Sequence, residues 1–275
     1  MSNELRIKLQ NKSDKEIQQL SNELNYYFGD EKQLIIEEIN RRNSLKISEA
    51  KKEKSVYTSK IELLIVLIVG FGFFAFSSTY KLIFGQTAND IQVSNYGTYF
   101  NTLYQIIVLT IIGTFLKFRG WKLLDFNLRF KFRMIFIAIL LLLTTALFIN
   151  IILVIIDVIG LDIINTENKP NFTIEANWLS LVMIIVINSI YEESLLIGYL
   201  FKRFEKMSPI IVIVFSMLIR LSFHTYQGWF SLISIPIISL VFGIYYIKYR
   251  KLWPLIIAHG LNNSLLFLSI FLRPS

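Results

Sequence analysis

The 275-residue chain has no cysteine. That absence excludes a thiol nucleophile, a disulfide framework and a cysteine-ligated metal site. Histidine is nearly absent too: His224 and His259 are the only two. Charge is scarce, at 17% of residues against a 54% hydrophobic content. Soluble domains carry about a quarter charged residues, so a soluble globular protein is excluded. The first 60 residues lack the apolar core of a signal peptide, so no cleaved leader is expected there, and the first span is expected to act as an uncleaved insertion signal. Internal repeats and low-complexity segments are also missing.

What the chain does have is a series of apolar runs approaching the roughly 20 residues that cross a bilayer as a helix. The fold class is therefore all-α, a polytopic transmembrane helical bundle of about seven spans with an N-terminal helical segment. The spans are expected near Ile61–Ala75 (extending towards Phe84), Tyr99–Leu116, Met134–Ile156, Trp178–Phe201, Pro209–His224, Phe230–Tyr246 and Trp253–Leu272. The second is unusually polar, with Asn101, Thr102, Gln105 and Thr110. The organisation reads as residues 1–60, a cytoplasmic helical arm; 61–160, the first transmembrane helices; and 176–272, the region that carries the chemistry.

The net charge of +8 would suggest nucleic acid in a soluble protein. Here the surplus lies beside the spans, so it reads as topology signal and contact with anionic headgroups, and no nucleic-acid partner is expected. Lys and Arg cluster before the first span and after the second, fourth and sixth. The loops around Asn89–Asn95 and Asp162–Glu175 are acidic, and Thr225–Trp229 is uncharged. Short cytoplasmic loops are enriched in Lys and Arg. The pattern predicts a multi-pass cell-membrane protein with a cytoplasmic N-terminus.

In the arm, Ser13 and Glu16 have capping-box spacing. Ile17, Leu20, Leu24 and Tyr27 then recur at helical spacing, and Gly29 is placed to end that helix. A second helix is expected from Glu31, with Leu34, Ile35 and Ile39 on one face. Lys51, Lys52, Lys54 and Lys60 suit anionic lipid.

Three spans carry groups that hydrocarbon penalises: Glu192 and Glu193, then Arg220 and His224, then His259 and Asn263. Ionisable groups in a span lose hydration and mark functional cavities. At about 1.5 Å per residue, Glu192 stands roughly 20 Å and His224 roughly 24 Å from the turn at Glu205–Ser208, with Glu193 and Arg220 each roughly 18 Å from it. His259 stands only about 9 Å above Trp253, so a tilt of its helix or an extended hairpin has to bring it level. Asn188 precedes Glu192 by one turn, and Asn263 follows His259 by one turn. Glu192 and Glu193 diverge by about 100°, so one can face a cavity while the other pairs with a neighbouring helix. A carboxylate shielded from bulk water is a stronger base toward a bound water, and imidazole and carboxamide groups can stabilise an oxyanion. Alternatively Glu192, His224 and His259 match a zinc site with an open position. The residues alone leave that choice open, along with a structural ion pair or a proton-coupled transporter. Transporters of many folds show internal pseudo-symmetry, which this sequence lacks.

Glu192-Glu193, His224, and His259-Gly-Leu-Asn262-Asn263 together resemble the CPBP family, the CAAX-processing and bacteriocin-processing intramembrane peptidases. The resemblance covers about Trp178 to Leu272. It implies an intramembrane endopeptidase acting on a membrane-anchored peptide or protein precursor. Glu192 would activate water, and His224, His259 and Asn263 would complete the site, with Glu193, Arg220, Asn188 and Asn262 around them. It implies no cofactor or Zn2+, with the metal-free chemistry favoured, and a cavity reached from the cytoplasmic side or laterally from lipid. An alternative within the same family is a non-catalytic bacteriocin-immunity or membrane-scaffold protein. Two positions depart from the family pattern: Ile197 stands where Glu-Glu-x-x-x-Arg has arginine, and Arg220 where Phe-x-x-x-His has phenylalanine. The two are expected to be linked, with Arg220 supplying from the fifth span the guanidinium missing from the fourth.

Overall fold

The structure is a computed structural model that describes residues 2–58, 60–84, 90–160 and 171–271. Asn89, Asp162, Glu167, Lys169 and Leu272, which figured in the loop and span assignments, lie outside the described residues, as do the side chains of Lys51, Lys52 and Lys54. The chain divides into two compact units, Met1–Thr58 and Ser59–Ser275.

The first unit holds three helices, α1 (Ser2–Asn11), α2 (Asp14–Asn22) and α3 (Gly29–Thr58). The capping box forms: Ser13 donates its backbone N–H to the Glu16 carboxylate at 2.7 Å and accepts from the Glu16 N–H at 3.4 Å. Leu9, Ile17 and Ile35 form the buried centre, with Leu20, Leu24, Tyr27, Leu34 and Ile39 packed against it. The boundaries differ from expectation. Helix α2 ends at Asn22, and Gly29 opens α3 at φ 57 rather than closing its predecessor. A left-handed φ there favours glycine, which has no Cβ to clash. Arg42 holds the unit together. It donates to Glu38 and Asp14 and to the backbone carbonyls of Leu9, Gln10 and Lys12, which satisfies acceptors that a helix end leaves open.

The second unit is built from helices α4 (Lys60–Leu67), α5 (Phe73–Ile83), α6 (Asn95–Phe118), α7 (Arg133–Val158), α8 (Trp178–Glu193), α9 (Leu200–Arg203), α10 (Pro209–Ser222), α11 (Trp229–Tyr249) and α12 (Trp253–Phe271). Wide π-helical turns at Ile68–Gly72 and Ser194–Tyr199 join α4 to α5 and α8 to α9. Counted as continuous helices, six among the described residues are long and apolar enough to cross a bilayer. The fifth expected span, α10, is a shorter apolar helix of 14 residues. The chain is a multi-pass membrane protein, and α6 pairs with α8, α12 with α7 and α8, and α11 with α10 and α7.

The polarity of the second span has a structural reason. Thr102 and Gln105 are buried, and Asn101 and Gln105 line a cavity, so these three are turned from lipid; Thr110 is exposed and donates its hydroxyl to the Ile106 carbonyl at 2.8 Å. Two segments read as loops are partly strands. β1 (Asp90–Val93) and β2 (Asn171–Ile174) pair in parallel with Ile91 opposite Phe172 and Val93 opposite Ile174. Asn95 reinforces the join, accepting from the Asn177 N–H at 2.8 Å and the Ser180 hydroxyl at 3.1 Å. The starts of α6 and α8 are thereby fixed side by side.

At the opposite end, Glu62 on α4 is fully buried, and among its donors are Arg119 at 3.1 Å, Arg203 at 2.9 Å, Trp121 at 3.2 Å and the Tyr199 hydroxyl at 3.2 Å. A carboxylate inside a span is tolerable only when so compensated.

The pH response of the N-terminal unit follows from Glu38. The Arg41 and Arg42 guanidiniums beside it hold its carboxyl at about 2, below the ordinary 4.5. Its stabilising contribution is complete above pH 4.5 and is lost as pH falls through about 2. Amide hydrogen exchange across residues 5–45 is expected to accelerate over that window, and the Glu38→Gln chain to show the acid-state rates already at neutral pH.

Candidate active site

The two glutamates end α8, just before the π-helical turn, and both are buried. As their 100° divergence requires, they face different partners. Glu192 lines a cavity of about 480 Å³ together with Asn188, His224, His259 and Asn263. Glu193 points into the helix packing and does not line it.

Glu193 is the centre of a bridge between helices. Its Oε1 accepts from Arg220 Nη2 on α10 at 2.7 Å and from His259 Nδ1 on α12 at 2.7 Å. Arg220 Nε stands 4.0 Å from Glu192 Oε2, so one guanidinium serves both carboxylates. Ile197, at the position where the motif has arginine, is buried in an apolar setting. The cation thus comes from α10, at the level the helical rise predicts.

The level of His259 is reconciled by the hairpin. From Glu193 the helix continues through the π-helical turn to Arg203, whereas α12 begins already at Trp253. The α8–α10 hairpin therefore extends beyond the start of α12. Trp253 is tied there to the preceding basic loop, donating from Nε1 to the Leu128 carbonyl at 2.8 Å.

Glu192 and His224 are each oriented by a neighbour. Glu192 Oε1 accepts from Asn188 Nδ2 at 2.9 Å, and Asn188 Oδ1 accepts from Gln105 Nε2 on α6 at 2.7 Å. The other oxygen, Glu192 Oε2, is buried with no hydrogen-bond partner. His224 Nδ1 lies 2.9 Å from the Arg220 carbonyl. A carbonyl can only accept, so Nδ1 carries a hydrogen, and in the neutral ring Nε2 then keeps its lone pair. The ring of Phe223 packs on His224 with centroids 4.6 Å apart, and Phe71 stacks on Phe223 at 5.2 Å. Tyr191 donates its hydroxyl to the Gly70 carbonyl, which the π-helical turn of the first span leaves available.

Of the residues singled out from the sequence, Asn262 is the exception: it is exposed and does not line the cavity. Adjacent positions on a helix cannot share a face, and Asn263 takes the inward one. Sequence reasoning missed Gln105 as a partner, although its polarity inside a span was the signal. It also missed Glu62, a carboxylate one residue past the expected start of the first span, and Tyr191, which sits beside the glutamate pair.

The donor atoms of Glu192, Glu193 and His259 lie within 4.8 Å of one another and could in principle hold a metal ion; His224 is not in that group. The Arg220 guanidinium already engages both carboxylates, however, and His259 directs its Nδ1 to Glu193. A divalent ion placed among them would meet a fixed positive charge at contact distance. The residues present do not fit a metal without displacing that arginine.

Residues 174–265 match the family model described as Type II CAAX prenyl endopeptidase Rce1-like. Neither the curated proteins nor the solved structures give a match.

Arg220 carries a stability prediction. Removing one partner of a buried pair leaves an uncompensated charge, worth about 3–5 kcal/mol. Arg220→Leu is expected to lower the thermal midpoint in detergent strongly, and Arg220→Leu combined with Glu193→Leu to recover a large part of the loss. Simple additivity of the two substitutions would show that the pair does not interact.

Proposed function

From the match of residues 174–265 to the Type II CAAX prenyl endopeptidase Rce1-like model, we propose that the protein is an intramembrane endopeptidase that hydrolyses a peptide bond of a membrane-associated precursor. The observation that carries this reading is Glu192 Oε2, a buried carboxylate oxygen without a hydrogen-bond partner, on a residue that lines a cavity together with His224, His259 and Asn263. An acceptor so placed is where a reactive water binds, since unsatisfied buried polar atoms in native proteins are explained by water or by chemistry.

In the proposed reaction Glu192 and the His224 Nε2 lone pair accept hydrogen bonds from one water. Its oxygen attacks the scissile carbonyl carbon while Glu192 takes the proton. The Asn263 carboxamide donates to the oxyanion, with the His259 ring beside it. Collapse breaks the C–N bond, and Glu192 passes its proton to the leaving amine. Asn188 and Gln105 aim Glu192, and Glu193 and Arg220 hold His259 in place. Arg220 provides beside the carboxylates the positive charge that a metal would otherwise bring, so the proposed mechanism uses no metal.

The non-catalytic alternative, an immunity or scaffold role, is favoured by Ile197 in the arginine position of the motif. Against it stands Arg220, which pairs with Glu193.

Glu192→Gln keeps the shape and the Asn188 contact but removes the base. Loss of a positioned general base costs about 10²–10⁴ in rate. Comparing membrane proteomes of cells carrying the wild type and Glu192→Gln should reveal a precursor that accumulates only in the variant, and 1,10-phenanthroline should leave processing unchanged in the wild type. Identical proteomes, with any cellular phenotype retained by the variant, would favour the scaffold role.

A further inference from the structure

The cavity is asymmetric with respect to charge. Thirteen Lys and Arg residues, from Lys60 through Lys251, flank the second unit's helices at one end. The contacts place these segments together: Glu62 joins Arg119 to Arg203, Asn127 donates to the Arg250 carbonyl, and Trp253 to that of Leu128. At the other end lie the β1–β2 pair and the turn Thr225–Gln227, where Ser78 lies 2.7 Å from the Thr225 hydroxyl and accepts from the Tyr226 N–H at 3.0 Å. Among the described residues, Lys81 is the one Lys or Arg at that end.

The cavity runs from Glu192 towards Lys81, Val93, Phe100 and Gln227, all at the end poor in positive charge. None of the residues at the basic end lines it. Basic segments mark the cytoplasmic side.

From these observations we propose that the site opens to the non-cytoplasmic face and draws its substrate from there: a membrane-tethered polypeptide whose scissile segment has already crossed the bilayer. This rests on the peptidase reading for the word substrate, but the sidedness stands on geometry and charge alone. It differs from the cytoplasmic access that the family resemblance implies.

The cysteine-free chain allows the test without preparatory substitution. Single cysteines are introduced at the proposed mouth (Lys81→Cys, Gln227→Cys), beside it (Glu175→Cys) and at the basic end (Lys206→Cys, Lys248→Cys). Intact bacterial cells expressing the full chain are treated with a charged, membrane-impermeant maleimide, and labelling is compared with that after permeabilisation. The mouth cysteines and Glu175→Cys are expected to label in intact cells at least ten-fold more than the basic-end pair, which should react only after permeabilisation. Labelling of the basic-end pair in intact cells, or protection of the mouth positions until permeabilisation, would overturn the proposal whatever the protein's activity. The precursor accumulating in Glu192→Gln cells gives the second readout. A cleavage site on its non-cytoplasmic side supports the assignment, and one in a cytoplasmic tail refutes it while leaving the peptidase reading intact.

Discussion

A carboxylate deprived of water must find its charge balance in the protein, and the membrane unit is arranged around two places where this happens. Glu193 is compensated by Arg220 and His259, so α8, α10 and α12 meet at one oxygen atom. Glu62 is compensated by Arg119 and Arg203, with Trp121 and Tyr199 also donating to it, so the first span, the end of α6 and the end of the α8–α9 helix meet at another. Between helices that lie in lipid there is little hydrophobic drive to associate. Buried pairs of this kind instead fix which helices are neighbours and at what depth.

The same arrangement separates holding from reacting. Glu193, engaged through Oε1 by Arg220 and His259, positions His259; Glu192, one residue earlier, lines the cavity and has an Oε2 without a hydrogen-bond partner. On the proposed reading the two glutamates are not redundant, because the helix turns them to different surroundings. The Arg220 substitution preserves this division. A guanidinium reaches the carboxylates from α10, and Ile197 is left to pack in an apolar setting.

Much of this was legible in the sequence because hydrocarbon leaves little freedom. Apolar runs set the helices, and the few polar residues within them marked the cavity. Helical rise predicted that Arg220 would meet Glu193, since both are counted from the same turn. Where the reading fell short, the cause was geometry that has no local pattern. The β1–β2 pairing joins segments far apart in sequence, and four-residue strands carry too little alternation to be seen. The shortness of α10 came from a chain that leaves the helix at Phe223, before His224. The inward choice of Asn263 over Asn262 depends on how α12 is rotated, which spacing from His259 suggests but the motif alone does not decide.

The wide turn at Ser194–Tyr199 lies between the two charge centres on a single helix, with Glu193 on one side and Tyr199 and Arg203 on the other. An i→i+5 turn accommodates one residue more than an α-helical turn. It therefore acts as a phase adjuster: it sets the azimuth at which Tyr199 and Arg203 emerge relative to the glutamates above. Excising a single residue there would leave a helix of nearly the same length and equal greasiness. Closing the turn to ordinary α-helical geometry would absorb the loss and leave both centres in phase, whereas the same excision elsewhere along the helix would swing one about 100° from the other.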